Sequence, residues 1–214
     1  VTAGAPSAPA GDGAPLRRIG VLGGAFDPPH IGHVIVAQEA WWRLRLDEVL
    51  LVPIGAPVDR PPAAWPAATR LRMVQAAVAE HAGLRASAVE VDRPGPSFTV
   101  DTLQAVHDAH PGADLWFMMG ADRLPTLPRW REPERILRLA RLAVMPRDAH
   151  DATWIAQVAE RVAPGRVDVL ETPIVQVSST MIRERLAAGG PVRYLVPRAV
   201  ERLLVGPHAL APRP

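Results

Sequence analysis

The 214 residues include 48% hydrophobic side chains and no cysteine, enough for a sizeable buried core; disulfides, thiol nucleophiles and thiolate metal sites are excluded. The formal net charge is only +2 and every basic side chain besides His is Arg, a balance that does not argue for nucleic-acid binding. No apolar run approaches membrane-spanning length and no segment reads as a secretion signal, so a soluble cytoplasmic protein is expected, with no membrane partner.

Residues Val1–Pro15 are mostly Ala, Gly, Pro and Ser and cannot bury enough apolar surface to offset the entropy of ordering, so a disordered tail is expected there. A first strand begins near Arg17. It leads into Gly23-Gly24-Ala25-Phe26-Asp27-Pro28-Pro29-His30-Ile31-Gly32-His33, a glycine-rich turn that enters a helix from about Ile31 to Leu44. A second buried strand is read at Asp47–Pro53, followed by a long Pro- and Ala-rich loop from Ile54 to Pro66. A helix over Ala67–His81, a short strand at Ala88–Asp92, a turn at Arg93–Pro96 and a helix over Thr99–His110 come next. Leu115–Met119 is a strongly apolar strand ending at Gly120; Arg141–Met145 and Val167–Leu170 are two more. The run Arg138–Arg141 reads as a solvated helix edge, and helices are expected near Thr153–Val162, Ser179–Ala188 and Pro197–Leu204.

Strands therefore alternate with helices along the chain, which predicts a doubly wound parallel sheet in a three-layer α/β/α arrangement. One domain over residues 16–206 is expected, with a C-terminal tail at 207–214. In such sheets ligands bind at the carboxyl ends of strands, where the strand order reverses. The Gly23–His33 stretch falls at the end of the first strand. Its glycines let backbone N–H groups approach an anion, and a helix start adds further N–H groups and a positive dipole end. His30 and His33, three apart, share one face of that helix start, and Gly32 puts no side chain between them.

Three further constellations stand out. Gly120-Ala121-Asp122 closes a strand, so Asp122 either accepts hydrogen bonds from a sugar or base amine or simply caps a helix. Val177-Ser178-Ser179-Thr180-Met181-Ile182-Arg183 opens a helix with three hydroxyls and a guanidinium one turn inward. That set suits triphosphate oxygens better than it suits capping alone. Ser97-Phe98-Thr99-Val100-Asp101-Thr102-Leu103 begins a helix for which Ser97 or Thr99 would be the cap, with Phe98 as a core anchor. No serine or histidine is arranged for covalent catalysis, and the histidines show no metal-ligand spacing.

The first string resembles the nucleotidyltransferase signature Gly-x-Phe-Asp-Pro-x-His-x-Gly-His, and its end resembles the HIGH motif of class I aminoacyl-tRNA synthetases. A synthetase would need a longer chain and a second ATP-binding signature. The order of Gly23–His33, Ser97–Leu103, Gly120–Trp130, Val177–Arg183 and Arg193–Pro197 is similar to bacterial nicotinate mononucleotide adenylyltransferases, over roughly Arg17 to Leu204. The resemblance implies a Rossmann-like nucleotidyltransferase fold and transfer of AMP from ATP to nicotinate mononucleotide in NAD biosynthesis. Mg²⁺ would be carried mainly by ATP phosphates, with no protein metal site and no nucleic-acid partner; a homo-oligomer is left open.

By the same resemblance His30 and His33 hold ATP phosphates, with His33 at the α-phosphate. Gly23, Gly24, Ala25, Phe26 and Gly32 line them, and Gly120 and Asp122 lie near the adenosine. Ser178, Ser179, Thr180 and Arg183 take the β,γ end, Arg183 counting with the two histidines as catalytic. Thr99, Trp130 and Arg131 build the acceptor pocket, Trp130 by stacking on the pyridine ring. The chain departs from the family at Asp59, where His is usual, while Arg60 keeps a positive charge for the mononucleotide phosphate. Rival readings are another small-molecule nucleotidyltransferase and a nucleotide-binding protein of this fold with weakened catalysis.

Overall fold

The computed structural model describes residues 17–58, 61–146, 150–206 and 209–210. Six strands form one parallel sheet: β1 Arg18–Gly24, β2 Glu48–Pro53, β3 Leu84–Ala86, β4 Asp114–Gly120, β5 Ala140–Met145 and β6 Val167–Val169. Their order is β3-β2-β1-β4-β5-β6, so the chain builds outward to one side through β3 and then crosses to the other side of β1. The carboxyl ends of β1 and β4, where that direction reverses, open the crevice in which such sheets place their ligands.

The helices are α1 Ile31–Arg43, α2 Ala67–Val78, α3 Thr99–Ala109, α4 Pro133–Leu139, α5 Ala152–Val162, α6 Ser179–Ala187 and α7 Arg198–Val205. Period-two alternation along the strands sends residues to two cores. Ile19, Val21, Phe117, Met119, Leu142 and Val144 pack under α3, α4 and α5 on one face. Leu22, Leu51, Trp116, Met118 and Ala143 pack under α1 and α2 on the other. These are the expected three layers. A Cβ at Gly20 would come within 2.8 Å of the Leu46 side-chain tip and 3.0 Å of Val49, so a larger residue there would force that face to repack. A third cluster of Trp65, Met73, Ile182, Val192, Val196, Val200 and Leu204 fastens α6 and α7 to the outside of α2. No helix among the described residues is long and apolar enough to cross a membrane.

Several elements differ from expectation. The third strand is Leu84–Ala86, not Ala88–Asp92. Leu84 fills the core beside β2, whereas 88–92 is a turn closed by the Asp92 N–H on the Ala88 carbonyl at 2.9 Å. α2 stops at Val78 rather than His81. Arg138–Arg141 is a solvated helix edge only in its first half: an exposed Arg138 and then Leu139 end α4, while Ala140 and Arg141 open β5. Two elements were unforeseen, α4 and a 3₁₀ segment over Ala121–Arg129. That segment has its own logic. Ala121, Leu124 and Leu127 recur every three residues and are all fully buried, which matches the three-residue turn of a 3₁₀ helix. Pro125 and Pro128 bar an ordinary α-helix there.

Of the expected tails, 1–15 lies outside the described residues, and so does most of 207–214. Leu210 folds back, donating its N–H to the Leu203 carbonyl at 2.8 Å and accepting the Trp65 indole N–H at 2.9 Å.

Candidate active site

β1 delivers an exposed Gly23 and a half-buried Gly24 to the rim of the sheet. Phe26 then adopts φ 48°, a left-handed conformation unusual for a bulky residue. Such strain costs on the order of 1–3 kcal/mol, and burying a phenylalanine ring returns about 1.5–3 kcal/mol. The ring is 1% exposed, so burial carries the turn. It lies over Gly24, where a Cβ would sit 3.1 Å from ring atoms, so any larger residue at 24 would push on the Phe26 ring.

The two histidines begin α1 and their rings stack, with centroids 3.7 Å apart; Phe26 meets His33 edge-on at 4.8 Å. A Cβ on Gly32 would sit 3.1 Å from the His30 ring, which explains the glycine between them. The His30 N–H donates to His33 Nδ1 at 3.1 Å. Nδ1 is therefore an acceptor, and the neutral imidazole carries its proton on Nε2. The helix start is less open than the sequence implied, since the Ile31 N–H is taken by the Leu195 carbonyl at 3.0 Å.

The Ser178–Arg183 segment, some 150 residues away in sequence, docks on this turn. Ser179 Oγ donates to the Pro28 carbonyl at 2.8 Å, and Arg183 Nη1 donates to the Asp27 carbonyl at 2.7 Å and to Asp27 Oδ2 at 3.4 Å. Arg183 Nη2 reaches Thr180 Oγ1 at 3.1 Å, and Ser178 caps α6 by accepting the Met181 N–H at 3.1 Å. The capping reading thus holds for Ser178, while Ser179, Thr180 and Arg183 are gathered against the glycine-rich turn. The buried Asp27, quoted within the motif but given no role from sequence, is the hub. It also accepts the Ala64 and Trp65 N–H groups at 2.8 and 2.9 Å.

Across the crevice, β4 ends at Gly120, which holds the cap position of the 3₁₀ segment. Asp122 lies inside that segment and exposed, so it is not the cap. Trp130 ends the segment half-buried, its indole N–H on Thr126 Oγ1 at 2.9 Å and its ring edge-on to Phe117 at 6.0 Å. Arg131 lies over the Phe98 ring at 4.8 Å and reaches Asp101 at 3.5 Å, which brings the Trp130–Arg131 pair to the first turn of α3 with Thr99. Neither Ser97 nor Thr99 caps α3. Phe98 takes the cap position, and Ser97 Oγ instead accepts the Ala56 N–H at 3.2 Å. Arg60 and Asp59 lie outside the described residues.

Glu90, which sequence reasoning missed, ties these pieces together. Its buried carboxylate accepts the Thr102 hydroxyl at 2.6 Å and the Gly55 N–H at 3.3 Å. Nothing in the local pattern marked it. Arg70 was missed too, although an arginine on the Met73–Val74–Val78 stripe of α2 is a legible anomaly. Arg141 and Asp168 form a different kind of pair near the amino-terminal edge of the sheet. Burial pushes the Asp168 carboxyl up, but hydrogen bonds from Arg141 and Trp116 and the charges of Arg141 and Arg18 outweigh it and hold the carboxyl below its ordinary value. The hydrogen bond to Asp168 likewise raises Arg141. Among the described residues, no cluster of three His, Asp or Glu side chains has metal-ligand geometry.

The cytidylyltransferase-like family matches residues 21–185. A protein of Synechococcus sp. (strain JA-3-3Ab) named "probable nicotinate-nucleotide adenylyltransferase" is 42% identical over 190 residues, spanning 88% of this chain and 92% of its own. One of the same name from Roseiflexus sp. (strain RS-1) is 44% identical over 186 residues, spanning 85% and 92%. Among solved structures, the Plasmodium falciparum nicotinic acid mononucleotide adenylyltransferase complexed with NaAD superposes with a TM-score of 0.70 at 16% identity. It covers 88% of this chain and 95% of that one, a likeness of fold.

Proposed function

We propose that this chain, which belongs to the nicotinate-nucleotide adenylyltransferase family within the cytidylyltransferase-like proteins, transfers AMP from ATP to nicotinate mononucleotide. The products are nicotinate adenine dinucleotide and pyrophosphate, a step of NAD biosynthesis. The observation that carries the reading is the docking of Ser179 and Arg183 onto the Asp27–Pro28 turn beside the paired histidines. It gathers hydroxyls, a guanidinium and imidazoles at the β1 rim, where a triphosphate would lie.

A phosphate oxygen of the mononucleotide attacks the α-phosphorus of ATP in line, and the bond from that phosphorus to the pyrophosphate oxygen breaks. The nucleophile is already an anion at neutral pH, so no general base is required. Catalysis rests on position and on donors aimed at developing charge. His33 fits the donor role because its Nδ1 accepts the His30 N–H, which puts the proton of the neutral imidazole on Nε2, the nitrogen we assign to the α-phosphate oxygens. We assign His30 and the rim around Gly23, Gly24, Ala25, Phe26 and Gly32 to the phosphates. Ser178, Ser179, Thr180 and Arg183 take the leaving pyrophosphate, and Gly120 with Asp122 the adenosine.

The acceptor side is assigned to Thr99, Trp130 and Arg131, with Arg60 for the mononucleotide phosphate. Mg²⁺ belongs on phosphate oxygens and water rather than in a protein cage, in keeping with a rim of hydroxyl, imidazole and guanidinium groups on which the Asp27 carboxylate is buried and engaged by Arg183 and the Ala64 and Trp65 N–H groups. When bound, it neutralises charge on the triphosphate. The test is turnover: ATP with nicotinate mononucleotide should release pyrophosphate and yield the dinucleotide. Failure with every mononucleotide, alongside ordinary ATP binding, would replace catalysis with binding alone.

A further inference from the structure

Arg70 is 3% exposed, although it carries a charge and stands among the apolar residues of α2. Its guanidinium donates to three backbone carbonyls: Nε to Trp65 at 3.0 Å, Nη1 to Ala25 at 2.7 Å and Nη2 to Ile54 at 2.6 Å. These carbonyls belong to separate stretches beyond the strand ends. Ala25 lies in the glycine-rich turn after β1, Ile54 is the first residue past β2, and Trp65 lies just before Pro66 at the end of the loop joining β2 to α2. At Ala25 and Trp65 no strand partner contributes. The Trp65 peptide is gripped at both ends, its N–H by Asp27 and its carbonyl by Arg70.

Burying a guanidinium is unfavourable unless its donors are satisfied, and an apolar side chain would pack α2 against the sheet without that cost. What an apolar residue cannot do is hold three carbonyls in one plane at fixed separations. A lysine cannot do so either, because its donors radiate from a single atom. Resting on the adenylyl-transfer reading above, we propose that Arg70 is a positioning residue for that reaction. It sets the spacing between the turn assigned to the ATP phosphates and the loop assigned to the acceptor, and so the alignment of the attacking oxygen with the α-phosphorus.

The experiment compares Arg70→Lys, Arg70→Met and, as a control, Arg141→Met, which breaks the half-buried fork on Asp168 at the opposite edge of the sheet. Binding of a non-hydrolysable ATP analogue and of nicotinate mononucleotide is measured by calorimetry, which also counts competent sites. Turnover is then expressed per competent site. Arg70→Lys should bind both ligands within about threefold of wild type while kcat per site falls roughly ten- to hundredfold, the scale of a misplacement near 1 Å. Arg141→Met should lose thermal stability with kcat per site unchanged.

If Arg70→Lys turns over at the wild-type rate per site, or loses activity only in proportion to lost sites, the proposal is overturned. It is also overturned if neither Arg70 variant folds, for Arg70 is then a folding determinant. The wild-type assay separates this from failure of the functional reading: a wild type that forms no dinucleotide removes the reaction itself.

Discussion

Two separable duties are assigned to His33, and replacing it in two ways pulls them apart. Its Nδ1 accepts the His30 N–H at 3.1 Å, and its Nε2–H is the donor assigned to the α-phosphate. His33→Ala removes both. Losing one transition-state donor lowers kcat by about 10²–10³, or roughly 2.7–4 kcal/mol. Losing the acceptor at a helix start costs about 1 kcal/mol, and half-burial lets water replace part of it. In a chain of this size that lowers Tm by about 2–4 °C. His33→Asn places an amide oxygen the same number of bonds from the backbone as Nδ1, so it can accept the His30 N–H, but no donor reaches as far as Nε2. Stability should therefore return to within about 1 °C of wild type while kcat stays depressed by about 10² or more. The assay is pyrophosphate release at saturating ATP and mononucleotide, with a thermal scan on the same preparations. If His33→Asn recovers rate together with stability, the imidazole is a helix cap and not a catalytic donor.

Arg183→Ala should raise the KM for ATP, and Arg183→Lys should recover only part of the loss, since an ammonium cannot span Asp27 and Thr180 and still face phosphate; an unchanged KM in the alanine variant would leave the guanidinium a clamp for α6 alone. If the backbone N–H groups of Thr99 and Arg131 face the ring substituent in the assigned acceptor pocket, they favour a carboxylate, and a carboxamide leaves one donor unpaired at about 1–3 kcal/mol, so roughly ten- to hundredfold preference for nicotinate over nicotinamide mononucleotide is expected. Trp130→Ala should raise the acceptor KM and spare that of ATP; a defect confined to ATP would move this tryptophan to the other pocket. For Asp168, the folded carboxyl lies below its ordinary value of 3.8, so its contribution to stability is present above that value and is lost as pH falls through the lower folded one. The Tm gap between wild type and Asp168→Asn should accordingly be widest near neutrality and close below about pH 4. A gap of constant size across the acid range would refute the linkage.

Local chemistry made much of this protein legible. Apolar runs as short as Leu115–Met119, ended by Gly120, read as buried strands, and their alternation with amphipathic helices predicts a parallel three-layer sheet as the packing that covers both faces. The Gly23–His33 string located the rim that we assign to phosphate, because a strand, a glycine turn and a helix start are all encoded within one short stretch. Where elements were missed, local signals were weak or conflicting. Three residues of β3 are too few to show a period, and the every-third-residue burial of Ala121, Leu124 and Leu127 fits neither strand nor α-helix.

The tertiary structure alone decided how the pieces meet. Ser179 and Arg183 reach the Asp27–Pro28 turn because Ile182 and the α7 residues bury against Met73 of α2, a contact between chain segments about a hundred residues apart. The inward roles of Asp27, Arg70 and Glu90 likewise depend on which backbone groups end up facing them. A sequence shows that a residue is charged. Whether that charge is solvated or spent on three carbonyls is settled only when packing removes the water.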